Sequence, residues 1–353
     1  MDLTYFSDRR PFIEKSIRDF FDRRLLDTGT VNRWGSDVCG RVLDFTLQGK
    51  MIRGGLVLLA HDIFGGKNTA DAGLGACAME LFQSAFLIHD DIMDRDETRR
   101  GKASVFAQYM HETAVPDAAE KRRLGESLGI CAGDISFFMG YQSLAEMSCV
   151  TEVPSILGAV SRELSIVGAA QMQDVYSGHV TEQPSLDDII RMYVQKTGRY
   201  TFSLPLMLGA MIAGAEEKNL ERFSVLGEKM GIVFQIKDDE LGLFGSETGK
   251  VSGSDIRENK KSIFRYYLFS RIRGEDVARC EALFGNPDIS AEDIDYVRAI
   301  VRESGIRAEI GRLALDVSNE ALAIIDGISS SMIGNEYLDV LRSLVSYSFA
   351  REK

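Results

Sequence analysis

The chain has 353 residues, with 41 Lys and Arg against 53 Asp and Glu, a net charge of −12. Hydrophobic residues at 45% and charged residues at 27% give a globular balance, which excludes wholesale disorder and collagen-like repeats. The acidic excess speaks against a general nucleic-acid binder, which needs a basic face. Cys39, Cys77, Cys131, Cys149 and Cys280 form no CxxC pair, so neither a disulfide framework nor a zinc site is expected and a reducing cytoplasm fits. The opening MDLTYFSDRR carries charges without an apolar core, unlike a signal peptide. Apolar residues then recur at helical spacing through 11–26, 52–64, 76–94, 124–147, 155–176, 186–213, 220–244, 260–284, 291–302, 306–328 and 335–349, and no strand-like alternation is sustained. Residues 111–123 form the most loop-like stretch. Ser185 with Asp188, and Ser290 with Asp293, are helix-start signatures. Pro205 is predicted to kink or break its helix. Residues 201–215, uncharged and apolar, are too few to span a bilayer. The expectation is an all-α chain, a single large helical bundle over 1–353 with no membrane span.

Two segments, 76–90 and 230–238, are apolar nearly all round, as helices in the middle of a bundle are. Each ends in an aspartate pair, in FLIHDDIMD and FQIKDDELG. Asp90, Asp91 and Asp94 fall within about 100° of helix arc. Three carboxylates this close repel one another and oppose the helix dipole, an arrangement that makes sense around cations. An all-carboxylate set points to a hard ion, Mg²⁺ before Zn²⁺. In the second motif Asp238 and Asp239 stand in register with Asp90 and Asp91, but Gly242 occupies the third acidic position. Glu240 points about 200° away from Asp238 and does not replace it, whereas Gln235 shares the Asp238 face.

Cationic residues complete an anion site. Lys50 and Arg53 lie in GKMIRGG, Arg99 and Arg100 follow the first acidic motif, Lys196 and Thr197 lie in KTG, and Lys250 and Lys260 bracket GSDIREN. A lone lysine is ordinarily a solvated charge; the set implies a polyanion bridged by Mg²⁺, with diphosphate the natural candidate. No P-loop and no dinucleotide fingerprint is present.

In this order GKMIRGG, LFQSAFLIHDDIMDRDETRRG, KTG, FQIKDDELGLFG and TGKVSGSDIRENK resemble the motifs of the trans-isoprenyl diphosphate synthases, the polyprenyl synthetase family, over nearly the whole chain. Gly54 stands where that family's GKxxRP has proline. The resemblance implies an isoprenoid synthase-like bundle around a central cavity. It implies that Asp90, Asp94 and Asp238 hold Mg²⁺, about three ions, with Asp91 and Asp239 supporting. Arg99, Lys196 and Lys250 would bind the allylic diphosphate, and Lys50, Arg53, Gln83 and Arg100 isopentenyl diphosphate. Lys260 would assist, Thr197 and Gln235 would line the carbocation, and Arg351 with Lys353 would close over the site. The family also implies a homodimer.

These residue types suit ionisation of an allylic diphosphate, because metal ions and cations stabilise charge on the leaving group. No protein nucleophile is required. His61, His89, His111 and His179 have no evident partners, and His89 reads as a support rather than a ligand. Phe82, Ala85 and Phe86 precede Asp90 by one to two helical turns, roughly 5.4 Å each, where the growing tail would run. In the family this chain resembles, two bulky residues at the two nearest positions close the pocket at fifteen carbons; with Phe86 bulky and Ala85 small, the resemblance implies geranylgeranyl diphosphate over farnesyl diphosphate. Three other readings stay open: a terpene cyclase, which would not need Lys50, Arg53 and Gln83; a non-catalytic synthase subunit, at which only Gly242 hints; and a di-iron bundle, which needs Glu-x-x-His pairs that are absent.

Overall fold

The computed structural model describes residues 3–149, 152–244, 253–328 and 335–350. They are helical throughout: α1 (Thr4–Thr28), α2 (Arg33–Leu47), α3 (Ile52–Ile63), α4 (Thr69–Met93), α5 (Val105–Glu112), α6 (Ala118–Ala145), α7 (Val153–His179), α8 (Leu186–Met192), α9 (Leu204–Ile212), α10 (Glu217–Phe244), α11 (Ser254–Arg257), α12 (Ile263–Arg271), α13 (Glu275–Leu283), α14 (Ala291–Glu303), α15 (Ile306–Ile328) and α16 (Asn335–Ala350). A two-stranded hairpin, β1 (Thr98–Arg99) with β2 (Lys102–Ala103), interrupts the pattern after α4. The all-α class is as expected from the sequence.

The chain gathers into two compact units, residues 4–158 with 205–215, and 159–204 with 216–353. In the first, Ile13, Ile17, Phe20 and Phe21 of α1 lie on one helical stripe, fully buried together with Leu56, Leu59 and Ile63 of α3 and Met79 and Phe82 of α4. In the second, Val233 and Ile236 of α10 pack with Ile263 and Leu268 of α12, Val297 and Val301 of α14, and Ile306 and Ile310 of α15. Both anticipated capping boxes form: Ser185 Oγ accepts from Asp188 N at 3.2 Å and Ser290 Oγ from Asp293 N at 3.1 Å, and each acid accepts in return from its serine's N–H.

Several boundaries differ from expectation. α2 and α5 lie outside the anticipated spans, and the loop before α6 shrinks because α5 takes its first residues and α6 begins at Ala118. The 260–284 stretch divides into α12 and α13: Ile272 turns extended at ψ 150° and ends the first, and Gly274, at φ +62°, precedes the second. Pro205 does not break its helix. An 11-residue π-helical run, Tyr193–Ser203, precedes it, and Leu204 N donates back to Arg199 O, five residues away. The wider turns place the proline in the first turn of α9, where a missing N–H costs little.

By length and composition α7 could also cross a membrane, which sequence reading did not anticipate. Its Glu163, 1% exposed, receives two hydrogen bonds of 2.7 Å from Arg199. That is the arrangement of a helix packed within a folded unit.

Candidate active site

α4 delivers the first acidic cluster at its C-terminal end. Asp90 is half-buried, Asp91 is fully buried and Asp94, the last residue before the chain turns, is exposed. Asp91 Oδ1 accepts from Arg99 Nε, and Arg99 Nη2 lies 3.6 Å from Asp96. The hairpin makes this possible: Arg100 (φ +53°) and Gly101 (φ +77°) form its two-residue loop, the left-handed pair of a type I′ turn, so Arg99 is carried back to the helix end. Burial pushes the Asp91 carboxyl up to about 7; Arg99 opposes the rise, and Asp96 and Asp90 add to it. His89 lies 3.2 Å from the Ile130 carbonyl and 3.6 Å from Asp134, and its ring fills the space over Gly133 of α6, as befits a support.

The same unit gathers the GKMIRGG cations. Lys50 is exposed in the loop before α3 and Arg53 is half-buried in its first turn. Near both Arg53 and Arg100 is Glu80 of α4, 4% exposed, which sequence reasoning passed over. Its Oε1 accepts from Gly54 N at 2.8 Å. Burial raises the Glu80 pKa, while the Gly54 N–H and the guanidinium groups of Arg53 and Arg100 act against the rise. Gln83 lies half-buried three residues further along α4. Non-glycine residues with positive φ among the described residues are Met51, Arg95, Arg100 and Asn259. Three of these coincide with or adjoin a candidate phosphate ligand, as backbone strain at binding sites often does.

The second acidic cluster lies on α10. Gly198 of the π-helical run and Gly231 of α10 touch backbone to backbone, since a Cβ at 231 would lie 2.1 Å from Gly198 Cα. This contact sets Thr197 Oγ1 2.9 Å from Gln235 Oε1, to which it donates, and Gln235 Nε2 donates to Asp239 Oδ1 at 2.9 Å. Tyr193 Oη donates to Asp239 Oδ2 and accepts from Ile263 N at 2.9 Å. Burial, with Asp255 next, pushes the Asp239 carboxyl up to about 7 against these hydrogen bonds. Asp238 remains half-buried. Lys196 Nζ meets Asp174 Oδ2 at 2.5 Å, and Arg199, anchored to Glu163 and to Glu228 at 2.7 Å, fixes the run that carries it.

Gly242 has a local explanation. A Cβ there would lie 2.7 Å from Asp255 Oδ2, so an acid supplied from α11 leans over the position where the second motif lacks one. Lys260 Nζ lies 3.6 Å from Asp255 and 2.9 Å from Glu258. Lys250, Arg351 and Lys353 lie outside the described residues.

Below the first acidic cluster, Phe82 and Ala85 are fully buried and Phe86 is half-buried. Phe86 packs edge-on to Phe137 of α6 at 4.9 Å, and Phe82 lies 5.2 Å from Tyr141 with its ring against Gly140. Sequence reasoning missed Phe137, Tyr141, Tyr193 and Asp174 as well as Glu80. The available signals were aromatics four apart in SFFMGY and single acids inside otherwise apolar helices.

The donor set fits a hard divalent cation. It is all oxygen, and Asp91 Oδ2 is buried without a hydrogen-bond partner. Among the described residues no three His, Cys, Asp or Glu side chains converge on one point.

The sequence pattern of the polyprenyl synthetase family matches residues 37–301. A geranylgeranyl diphosphate synthase of Sulfolobus acidocaldarius is 32% identical over 73% of this chain and 74% of its own. A short chain isoprenyl diphosphate synthase of Methanocaldococcus jannaschii is 29% identical, the alignment spanning 65% of each chain. Among solved structures, a geranylgeranyl pyrophosphate synthase from Corynebacterium glutamicum, complexed with isoprenyl diphosphate and magnesium, superposes with a TM-score of 0.88 at 26% identity over 99% of this chain and 100% of that one. The chain is a member of the polyprenyl synthetase family.

Proposed function

We propose that the protein is a Mg²⁺-dependent trans-prenyltransferase that condenses isopentenyl diphosphate with allylic diphosphates, head to tail, to geranylgeranyl diphosphate. Family membership supports the class. The observation that carries the two-substrate reading is the buried Glu80, which binds the start of α3 and lies with Arg100 over Gly49, the residue before Lys50. A cyclase, with one diphosphate to hold, has no use for this second cation set.

In this reading Asp90, Asp94 and Asp238 are the metal ligands, while Asp91 and Asp239 anchor the two motifs. Bound Mg²⁺ supplies Lewis-acid stabilisation of the leaving diphosphate. Lys196, Arg99 and Lys250 hold that diphosphate, and Lys50, Arg53, Gln83 and Arg100 hold isopentenyl diphosphate. Thr197 and Gln235 line the allylic cation, and the proton lost after carbon–carbon bond formation goes to the departed diphosphate. Lys260, held beside Asp255 and Glu258, joins the cations that bind substrate, and Arg351 closes over the site. One boundary between the two compact units falls within α7, another at the start of α9 and a further one in the short connection before α10, and we take 1–353 as one catalytic domain. About three Mg²⁺ ions, a homodimer and a cytoplasmic location complete the proposal.

The deciding experiment mixes the protein with Mg²⁺, isopentenyl diphosphate and an allylic primer, follows diphosphate release and separates the dephosphorylated products. The expected main product is geranylgeraniol. Ala85→Phe is expected to shorten it by about one isoprene unit and Phe86→Ala to lengthen it, because each turn of α4 spans roughly 5.4 Å. Unchanged length in both variants would place the floor of the tail pocket on other residues, with Phe137 the next to test. Diphosphate release without isopentenyl diphosphate would favour the cyclase.

A further inference from the structure

We infer that Glu80 is a positioning residue for isopentenyl diphosphate: one buried carboxylate fixes the start of α3 and aligns Arg53 and Arg100 beside Lys50. The inference rests on the assignment of these three cations made above.

The geometry is specific. Glu80 is an acid in an apolar stretch of α4, 4% exposed, and an acid buried to that degree persists only with partners. Its first partner is the start of α3. The residue before that helix, Met51, is left-handed at φ +55° and makes no side-chain cap. The opening N–H groups therefore need an acceptor from elsewhere. Glu80 Oε1 provides it, taking Gly54 N–H at 2.8 Å, with the Arg53 N–H also turned to the carboxylate. On the other side, a Cβ at Gly49 would lie 3.6 Å from both Glu80 Oε2 and Arg100 Nη1. Carboxylate and guanidinium thus converge over the residue that precedes Lys50. One side chain holds the turn bearing Arg53 by its bond to Gly54, and sets its charge beside the residue before Lys50 and near the Arg100 guanidinium, which itself donates to Phe45 O at 3.4 Å.

Gly54 makes the arrangement particular to this chain. A proline, which the resembling motif carries there, has no N–H to donate. The bond to Glu80 exists because the position is not proline.

Two roles for such an anion differ in sign. A carboxylate that merely balances buried charge would repel a diphosphate, and its removal would tighten binding. A carboxylate that aligns donors would weaken binding on removal, because charge-assisted bonds need their geometry. Glu80→Gln separates the roles, since the amide oxygen still accepts from Gly54 while the charge is gone. With the full-length, Mg²⁺-loaded enzyme, KM is measured for isopentenyl diphosphate at saturating allylic diphosphate, and then the reverse. The expected result is a rise of about tenfold in KM for isopentenyl diphosphate, with KM for the allylic substrate and kcat within about threefold of the parent. Lys50→Ala is run alongside and is expected to raise the same constant. Glu80→Asp keeps the charge one methylene short and is expected to fall between. It decides by the same criterion if the glutamine variant does not fold. An unchanged or lowered KM for isopentenyl diphosphate in the Glu80 variants, with Lys50→Ala raising it, overturns the positioning role alone. Equal changes for both substrates overturn it in favour of general support of the fold. No effect in Lys50→Ala overturns the site assignment, and the inference with it.

Discussion

α4 begins and ends on a buried aspartate, and the two are held in opposite ways. Asp71, 2% exposed, lies in the first turn and accepts from Ser148 N at 2.8 Å, Cys149 N at 2.9 Å and Asn68 Nδ2 at 2.8 Å. Burial alone would raise its pKa, but these hydrogen bonds outweigh burial and hold the carboxyl below its ordinary value. Asp91, fully buried in the last turns, has Arg99 on one oxygen and nothing on the other, with Asp90 and Asp96 close by, and is driven up to about 7. The helix dipole favours a negative charge at the first position and opposes it at the second. A satisfied carboxylate at a helix start fastens the chain. A desolvated one among like charges at a helix end marks where a cation is wanted. Asp239 of α10 follows the second pattern, with neutral donors in place of Arg99.

The largest effects should come from the half-buried partners of the desolvated acids. Asp90→Ala and Asp238→Ala are each expected to lower kcat with Mg²⁺ by about a thousandfold. Metal-free unfolding in urea should shift by less than about 1 kcal/mol, because losing one of several repelling acids costs the fold little. Full activity in either variant would break the comparison, since that helix end would then be no metal site. A large loss of stability in the metal-free protein would also break it, by making these acids fasteners like Asp71.

Asp71 should behave in the reverse manner. Asp71→Ala leaves the N–H groups of Ser148 and Cys149 without their acceptor, and is expected to destabilise the protein by about 3 kcal/mol with kcat almost unchanged. The sign with pH follows from the direction of the shift. A carboxylate held below its unfolded value contributes stability above that value, about 3.9, and loses the contribution as pH falls through the lower, folded one. The gap between parent and variant in urea unfolding should therefore be full at pH 7 and close progressively below about pH 3.9. A gap that stays constant into acid would mean that Asp71 acts by packing rather than by charge.

Much of this was readable in the amino-acid order because it follows from periodicity and spacing. The stripe Ile13, Ile17, Phe20, Phe21, the capping boxes at Ser185 and Ser290 and the paired acids at the ends of apolar helices are all local patterns. What escaped depends on contacts far apart in the chain. Glu80 acquires meaning only when Gly54 and Arg100 are brought beside it, Asp174 when Lys196 is, and Tyr193 when Asp239 is. α2 was hidden because Gly35 and Gly40 weaken its helical signal, although Val38, Val42 and Phe45 are buried along one face. The effect of Pro205 was misjudged because a π-helical run is a tertiary accommodation, set by the close approach of Gly198 to Gly231.

The smallest expected effect tests how the two ends of α4 are closed. At the start, Asn68 supplies an efficient cap, its Oδ1 accepting from Asp71 N at 3.2 Å. At the end, Arg95 N donates to Ile92 O at 3.3 Å and Asp96 N to Asp91 O at 2.8 Å, the paired bonds of a Schellman closure. The residue in the left-handed position of that closure is Arg95, at φ +60°, where glycine is usual. A side chain in that conformation costs roughly 1–2 kcal/mol. Glycine would relieve that cost but bring about 0.5–1 kcal/mol of extra freedom to the unfolded chain. Arg95→Gly should therefore stabilise the metal-free protein by about 0.5 kcal/mol, a rise in Tm of about 1 °C in a chain of this length. Calorimetry of parent and variant at matched scan rates measures it. Destabilisation by more than about 1 kcal/mol would show that the Arg95 side chain makes a contact worth more than its strain. Unaltered stability with a raised KM for the allylic diphosphate would instead place Arg95, next to Asp94, among the cations that face substrate, and the strained end of α4 would then be strained for the sake of the reaction.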